Sequence, residues 1–251
     1  MDLSRMSNGT THTQSIGINC MVKIGERSIK QQLLDIYTVL LGTYGHQNWW
    51  PADEPFEVII GAILTQNVSW NNVEKAIANL KGANLLTPNK MHEVPTNELS
   101  VLIKPTRYYN QKAHKIKSFL DFLFEKYSGD FREMKNQKIG RIREELLGIK
   151  GFGKETVDSI LLYALDYPIF VIDAYTKRIF ERYGFFPESS SYEECQSFFM
   201  SDLPRDISLY NDFHAQIVIL GKMVCKKNPS CEKCPIKRVK NDLQCSYPSS
   251  I

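Results

Sequence analysis

The last part of the chain carries four closely spaced cysteines, Cys225-x5-Cys231-x2-Cys234-x10-Cys245. Four thiolates within one short segment can hold either a zinc ion or an iron–sulfur cluster, and the spacing alone does not distinguish them. The N-terminal segment is polar and lacks the apolar core of a secretory signal, so a disulfide framework is not expected. The cysteines therefore predict a metal site.

A second motif is the glycine pair Gly151-Phe152-Gly153, which stands between two segments of helical period, KIGRIREELLGI and KETVDSILLYAL. A dinucleotide-binding fingerprint would require a preceding strand and a third glycine, and the spacing of a P-loop is absent as well. The pattern instead predicts a helix, a tight turn and a second helix, whose exposed amides can bind a phosphate. An ordinary corner between two helices explains the same residues equally well.

A candidate catalytic carboxylate, Asp173, follows the apolar run PIFVI and precedes the helical pattern AYTKRIFERYG. Aspartate is a good N-cap residue, and from the residues alone this structural role is favoured. The same carboxylate, held at a helix start, can also stabilise a developing positive charge or activate a water molecule. The two roles are compatible.

Nearly all periodic segments have the helical period, and PIFVI, residues 168–172, is the one strand-like run. A parallel-sheet nucleotide-binding fold is therefore not expected, and the sequence predicts an all-α protein of about ten helices. No apolar run is long enough to span a membrane, and the formal charge of +3 is compatible with binding to nucleic acid. Residues 1–28 are polar and predicted to be disordered, with Met21 as a candidate start residue.

Five segments, in the same order along the chain, resemble those of the helix-hairpin-helix DNA glycosylases of the endonuclease III superfamily. They are GAILTQN, YYNQKAHKIKSF, LLGIKGFGKETVDSILLYA, VIDAYTKRIFERYG and the cysteine segment. The resemblance implies two helical lobes, with damaged double-stranded DNA lying across the cleft between them and the damaged nucleotide flipped out. A six-helix barrel would comprise residues 53–166 and end in the hairpin at 141–165. The second lobe would combine residues 29–52 and 167–251 and contain the metal loop at 225–245.

The resemblance also implies roles for individual residues. Asp173 matches the catalytic aspartate of the family, which stabilises the oxocarbenium-like transition state while the N-glycosidic bond breaks. Other matching positions lie in the segment that enters the DNA and in the hairpin that binds phosphate. The predicted DNA-binding residues are Gln66, Asn67, Gly151, Gly153 and Lys154.

Glu155 stands where the bifunctional members of the family carry a lysine that attacks C1′ and forms a Schiff base. A carboxylate cannot form an imine, Lys154 points about 100° away on a helix, and Lys150 precedes the turn. We therefore expect a monofunctional glycosylase that uses water and leaves an abasic site. An acid in the first turn of a helix is also favourable without any catalytic role.

Aromatic residues just before the GAILTQN helix predict a pocket for a flipped base, formed by Trp49, Trp50 and Phe56 together with Glu155. A cationic base such as 3-methyladenine would gain about 1–2 kcal/mol from cation–π contacts there and is already a good leaving group. This pattern is most similar to the endonuclease-III-like 3-methyladenine glycosylases, and core packing of Trp50 is the alternative. Two other functions stay open: removal of oxidised pyrimidines or mismatched bases, with or without a substitute lyase lysine, and binding of damaged DNA without catalysis.

The resemblance favours a [4Fe–4S] cluster over Zn2+ at the four cysteines of the C-terminal segment, although the usual spacing of the family is C-x6-C-x2-C-x5-C. The proposed ligands are Cys225, Cys231, Cys234 and Cys245. Basic residues around them would meet DNA phosphates and make binding dependent on salt. His214, on the apolar segment DFHAQIVIL, is interpreted as a core histidine with satisfied hydrogen bonds. The protein is expected to act as a cytoplasmic monomer.

Overall fold

The computed structural model describes residues 28–239, 243 and 245–247. The predicted disordered tail, residues 1–28, lies outside the described residues except for Ser28. No helix in the described ranges is both long and apolar enough to cross a membrane. The described helices are α1 (Ile29–Tyr44), α2 (Pro55–Leu64), α3 (Trp70–Gly82), α4 (Pro88–Glu93), α5 (Thr96–Leu102), α6 (Tyr109–Tyr127), α7 (Ile139–Leu147), α8 (Lys154–Tyr163), α9 (Ala174–Arg182), α10 (Tyr192–Asp202) and α11 (Ile207–Met223). Short 3-10 turns occur at Lys104–Thr106, Phe131–Asn136, Cys231–Lys233 and Pro235–Arg238.

The prediction of an all-α fold is confirmed for the described part of the chain, which contains no β-strand. The strand-like segment 168–172 is extended, and its apolar side chains are buried among helices. Phe170 stacks on Phe199 of α10, with ring centroids 4.1 Å apart. The segment therefore acts as a packed connection that carries the chain from α8 to Asp173.

Residues with favourable end chemistry stand at the helix boundaries. Pro55 occupies the first turn of α2, where its missing N–H has no helical partner to lose. Ser191 and Glu194 form a reciprocal capping box at the start of α10. At the start of α11, the Asp206 carboxylate accepts a hydrogen bond from the backbone N–H of Leu209 at 2.7 Å. These local signals fix where the helices begin.

Two central helices carry the core. Every residue from Phe56 to Leu64 in α2 is buried, as the uninterrupted apolar pattern of that segment predicts. In α8, every residue from Thr156 to Tyr163 is buried as well. The two helices pack against each other, α2 also contacts α6, and α11 contacts both α8 and α9. Side chains near the start of α8 are consequently held close to those at the end of α2.

A buried ion pair joins the two helices of the hairpin. Arg143 of α7 donates to both carboxylate oxygens of Asp158 of α8, at 2.7 and 3.0 Å, and Asp158 is fully buried. Gln196 of α10 donates to the same carboxylate at 2.8 Å and to the carbonyl oxygen of Phe170 at 2.7 Å. This network connects the hairpin to the extended segment that ends at Asp173.

Candidate active site and DNA-binding surface

Asp173 is the N-cap residue of α9. One carboxylate oxygen, Oδ1, accepts hydrogen bonds from the backbone N–H of Thr176 at 2.7 Å and from its hydroxyl at 2.8 Å. The other oxygen, Oδ2, lies 3.8 Å from Nε2 of His214, and the Asp173 side chain is 11% exposed. The capping role anticipated from the sequence is therefore present, and it leaves Oδ2 outside the cap.

Glu155 lies in the first turn of α8 and remains accessible to solvent. Partial desolvation by the surrounding protein, followed by the negative charge of Asp173, raises the pKa of Glu155 from 4.5 to about 7. Two carboxyl groups thus share one region, and one of them holds a proton readily near neutral pH. A lysine at this position would instead be stabilised in its charged form by the negative charge of Asp173.

Three tryptophans form a cluster beside this region, which we call the tryptophan cluster: Trp49, Trp50 and Trp70. Their ring centroids are 4.7 to 5.3 Å apart in tilted or edge-to-face contacts. Trp50 also contacts Tyr163 of α8 at 5.5 Å and lies directly over the backbone of Gly61. All three tryptophans are half-buried, so part of each indole reaches the surface.

The sequence analysis did not single out Trp70, which opens α3, and it grouped Phe56 with the tryptophans. Phe56 is buried and stacks on Phe131 at 6.2 Å, so its ring belongs to the core. The interpretation of Phe56 as a pocket residue therefore receives no support from its contacts. The reason is helical geometry, since Phe56 is on the first turn of a helix that is buried on all sides.

The hairpin turn is built around its glycines. Gly151 has a φ of 89°, and a Cβ atom there would approach Cε of Lys115 to 2.6 Å. Gly153, the N-cap of α8, has a φ of −96° and open space at its Cβ position. Phe152 between them is buried and stacks on Phe119 at 6.2 Å. Both glycines are exposed, so the turn presents backbone to the solvent while its phenylalanine anchors it.

The ammonium group of Lys154 forms an ion pair with Glu193 of α10. Near the same turn, Lys115 of α6 donates to the side-chain oxygen of Gln66, and burial lowers the pKa of Lys115. The amide nitrogen of Gln66 donates in turn to the hydroxyl of Thr156 at 2.9 Å. Gln66 is thereby fixed between α6 and α8.

Asn67 and Lys112 complete the end of α2. Asn67 is exposed and adopts a left-handed backbone with a φ of 54°. Lys112, only 2% exposed, donates to the carbonyl oxygens of Leu64 at 2.8 Å and Thr106 at 2.6 Å. Burial lowers the pKa of Lys112 to about 8. Its ammonium group caps the carbonyl of Leu64, the last residue of α2, and links it to the 3-10 turn that ends at Thr106.

The four cysteines of the C-terminal segment line one small cavity, with Arg182 and Tyr183 of the α9 end. Arg182 donates to the sulfur of Cys225 at 3.3 Å and to the carbonyl oxygen of Lys226 at 2.7 Å. The hydroxyl of Tyr183 lies 3.3 Å from the sulfur of Cys234. Among the described residues, no three His, Cys, Asp or Glu side chains are grouped closely enough to hold a single metal ion. Arg182 and Tyr183 stand at the end of α9, the helix that Asp173 caps, so the C-terminal end of this helix contacts the cysteines.

Comparison with known families assigns the fold and the enzyme class. Residues 60–205 match the HhH-GPD superfamily base excision DNA repair protein family. The chain belongs to this family. It is 49% identical over 208 residues to a protein of Methanocaldococcus jannaschii that is named as a DNA repair glycosylase, covering 82% of this chain and 94% of that protein. The resemblance seen in the sequence is thus confirmed, and the chain is a DNA glycosylase of base excision repair.

Three further similarities concern more distant relatives. The endonuclease III of Thermotoga maritima is 31% identical, with 73% of this glycosylase and 81% of that protein covered. The H. pylori 3-methyladenine DNA glycosylase MagIII, solved with 1,N6-ethenoadenine, superposes with a TM-score of 0.66 at 28% identity and covers 77% of this chain and 97% of its own. A non-covalent endonuclease III–DNA complex has a TM-score of 0.70 at 24% identity, which shows a shared fold.

Proposed function

We propose that this glycosylase is monofunctional and hydrolyses the N-glycosidic bond of alkylated purines, such as 3-methyladenine, in double-stranded DNA. The observation that carries the proposal is the position of Glu155 near Asp173. The negative charge of Asp173 contributes to the raised pKa of Glu155, so the two carboxyl groups lie near each other. A carboxyl group at this place offers no amine for a Schiff base. The similarity to MagIII, which is named as a 3-methyladenine glycosylase, points to the same class of substrate.

In the proposed reaction, the bond between C1′ of the deoxyribose and the purine nitrogen breaks, and the bonding electrons leave with the base. Asp173 stabilises the positive charge that develops on the sugar, through the carboxylate oxygen that the cap leaves free. Water then bonds to C1′ and passes its proton to Asp173. A base that is cationic before the reaction departs as a neutral molecule, so it needs no proton from the enzyme.

The tryptophan cluster is the proposed base pocket. Its rings are partly exposed, and Trp50 connects through Tyr163 to His214, the neighbour of Asp173. A flipped purine can stack on such rings, and a positive charge on it adds a cation–π contribution of about 1–2 kcal/mol. The pocket residues that we retain are Trp49, Trp50 and Glu155, to which Trp70 is added.

DNA is proposed to contact two neighbouring places. Backbone amides of the exposed hairpin turn at Gly151 and Gly153 would bind phosphate at the start of α8, with Lys154 close by. Gln66, fixed by Lys115 and Thr156, and the exposed Asn67 would fill the space left by the flipped nucleotide. We further propose a monomer with a barrel over residues 53–166 and a second lobe from both ends of the chain, acting in the cytoplasm.

The cysteine segment is proposed to hold a [4Fe–4S] cluster with a structural role. Four thiolates around a single cavity match its donor set, in which each cysteine binds a different iron atom. A zinc ion bound by the same four thiolates, with each sulfur about 2.3 Å from the metal, is the alternative. Arg182 and Tyr183 would donate hydrogen bonds to Cys225 and Cys234 of the loaded site.

A second candidate function is that of an endonuclease III, which acts on other bases and cleaves the strand. Identity to the T. maritima enzyme favours it, as does a lysine with a lowered pKa beside Gln66, Lys115. In that case Lys115 would supply the amine that Glu155 lacks.

The deciding experiment incubates the purified protein with methylated DNA and identifies released bases by chromatography, with Asp173→Asn in parallel. Asparagine caps helices as well as aspartate does, so the variant should fold normally while base release falls about 10²–10³-fold. Borohydride trapping on the same DNA should give no covalent complex. A parallel incubation uses DNA that carries oxidised pyrimidines. Release of an oxidised pyrimidine from that DNA, together with trapping that is lost in Lys115→Met, would establish the second function instead.

A further inference from the structure

Among the described residues, His214 is the histidine that lies beside Asp173, and its position raises the question of what it does there. The histidine side chain is 7% exposed and the aspartate side chain 11% exposed, so the pair is shielded from solvent. Nε2 of His214 lies 3.8 Å from Oδ2 of Asp173, the carboxylate oxygen that the helix cap does not use. Nε2 is buried and has no other hydrogen-bond partner. The expectation of a fully satisfied core histidine is therefore wrong for this nitrogen.

The other ring nitrogen fixes the form of the imidazole. Nδ1 lies 2.6 Å from the hydroxyl of Tyr163, which is itself 3.4 Å from the carbonyl oxygen of Asn211. Burial lowers the pKa of His214, so the ring is neutral and carries one proton. If Nδ1 carried it, the lone pair of Nε2 would face the carboxylate of Asp173, which is repulsive. The stable arrangement has Tyr163 donating to Nδ1 and the proton on Nε2.

We propose that His214 is a positioning residue for Asp173, with its Nε2–H directed at Oδ2 and its tautomer fixed by Tyr163. This role rests on the proposed function, in which Asp173 stabilises the sugar cation. The distance of 3.8 Å between Nε2 of His214 and Oδ2 of Asp173 is longer than a hydrogen bond by less than about 1 Å. In the proposal, a small side-chain movement closes this gap when DNA is bound. Thr176 then holds one carboxylate oxygen and His214 the other, so the carboxylate plane cannot rotate.

The same contacts connect the base pocket to the carboxylate. Tyr163 packs edge-on against Trp50 of the tryptophan cluster, with centroids 5.5 Å apart, and its hydroxyl reaches His214. A base that stacks on Trp50 would therefore be linked by packing to Tyr163, the residue that fixes the tautomer of His214. The groups that face Asp173 from the surrounding helices are Glu155 and Tyr163 of α8 and His214 of α11.

The first test is kinetic. We expect His214→Phe, which keeps ring volume but has no donor, to lower the single-turnover rate of base release about 100-fold on saturating methylated DNA, with little change in DNA affinity. His214→Gln, which retains an N–H donor, should recover part of the rate. His92→Phe is the matched control, since His92 also pairs with an aspartate, Asp121, at 3.1 Å, but this pair is exposed to solvent. Equal rates for His214→Phe and wild type would overturn the proposal.

The second test needs no activity and covers the case in which His214→Phe fails to fold. NMR of wild-type protein with 15N-labelled histidine distinguishes a proton on Nε2 from one on Nδ1, and Tyr163→Phe should shift the balance. A proton on Nδ1 in the wild type would overturn the proposal. A wild type that releases no base from methylated DNA would defeat the proposed function, whereas an active wild type beside a fully active His214→Phe would defeat only the role of His214.

Discussion

At the scale of single residues, the site depends on two carboxyl groups with different surroundings. Asp173 is tied into a helix cap that stabilises its charge, while Glu155 is kept partly protonated by desolvation and by Asp173. Because their surroundings differ, Asp173 can act as an anion while Glu155 is protonated. A protonated Glu155 can lie beside a cationic or a neutral base. An amine at position 155 would remove this difference, because it would neutralise Asp173.

The raised pKa of Glu155 predicts a dependence of stability on pH. In the unfolded chain Glu155 loses its proton near pH 4.5, whereas the folded protein keeps it until about pH 7. Between these values the folded state binds more protons, so the free energy of unfolding falls as the pH rises. Glu155→Gln has no carboxyl group at this position, so its stability should not fall with pH in this way. Urea unfolding should show that its free energy of unfolding rises by about 1 kcal/mol relative to the wild type between about pH 5 and pH 8. The expected change is small because the side chain reaches solvent.

The control for this measurement is Glu144→Gln, on the exposed side of α7. It makes the same change from carboxyl to amide at an exposed site, and its pH dependence is subtracted from that of Glu155→Gln. A Glu155→Gln variant that loses stability relative to the wild type as the pH rises would show that Glu155 is held as an anion in the folded protein.

At the scale of elements, the hairpin turn exposes the backbone amides that are proposed to bind phosphate, and it depends on one unusual backbone conformation. Gly151→Ala should lower the free energy of unfolding by about 1–2 kcal/mol, because alanine resists a φ of 89°. The new methyl group also displaces Lys115, which supports Gln66. Gly153→Ala is the matched control, since its φ of −96° and open surroundings accept a side chain. Urea unfolding and fluorescence anisotropy with DNA should separate the two variants, and equal behaviour would show that the turn tolerates a side chain.

The Arg143–Asp158 pair holds that hairpin against the rest of the protein. Asp158→Ala leaves a partly buried guanidinium without its partner and should destabilise the fold by about 3 kcal/mol. Asp130→Ala, which breaks the solvent-exposed pair with Arg132, should have a much smaller effect. Thermal unfolding of both variants measures the difference. A small loss in Asp158→Ala would mean that Gln196 and the backbone suffice to hold the hairpin.

Some of these elements follow from local sequence patterns, and others depend on contacts between distant segments. Periodicity and turn residues predicted the buried α2, the hairpin around Gly151 and the capping position of Asp173, because each is a local property of the chain. The contacts of His214 with Tyr163 and Asp173 join three segments that are distant in sequence, so no local pattern reveals them. Trp70 was missed for the same reason, and Lys112 because a lysine on an amphipathic helix is ordinarily exposed. The lysines at helical spacing in YYNQKAHKIKSF were the available signal for Lys112 and Lys115.

At the scale of the whole molecule, α9 connects the reaction site to the end of the chain. Asp173 caps its first turn, and Arg178 and Arg182 farther along it donate to the backbone at Gly221, Cys225 and Lys226. Gly221 permits this packing, because a Cβ atom there would come within 2.4 Å of Tyr175. The cysteine segment is thereby attached to the helix that Asp173, the proposed catalytic carboxylate, caps.

Metal analysis should therefore find about four iron atoms and four sulfides per chain in anaerobically purified protein. Serine in place of any one of Cys225, Cys231, Cys234 and Cys245 should lower iron content and thermal stability, whereas Cys195→Ser, in the core away from that cavity, should leave iron unchanged. Because the proposed cluster would support the far end of α9, its loss should weaken DNA binding more than it slows base release at saturating DNA. One zinc ion per chain and no iron would contradict the cluster. An unchanged iron content in Cys245→Ser would show that Cys245 is not a ligand and that another donor binds the fourth iron atom.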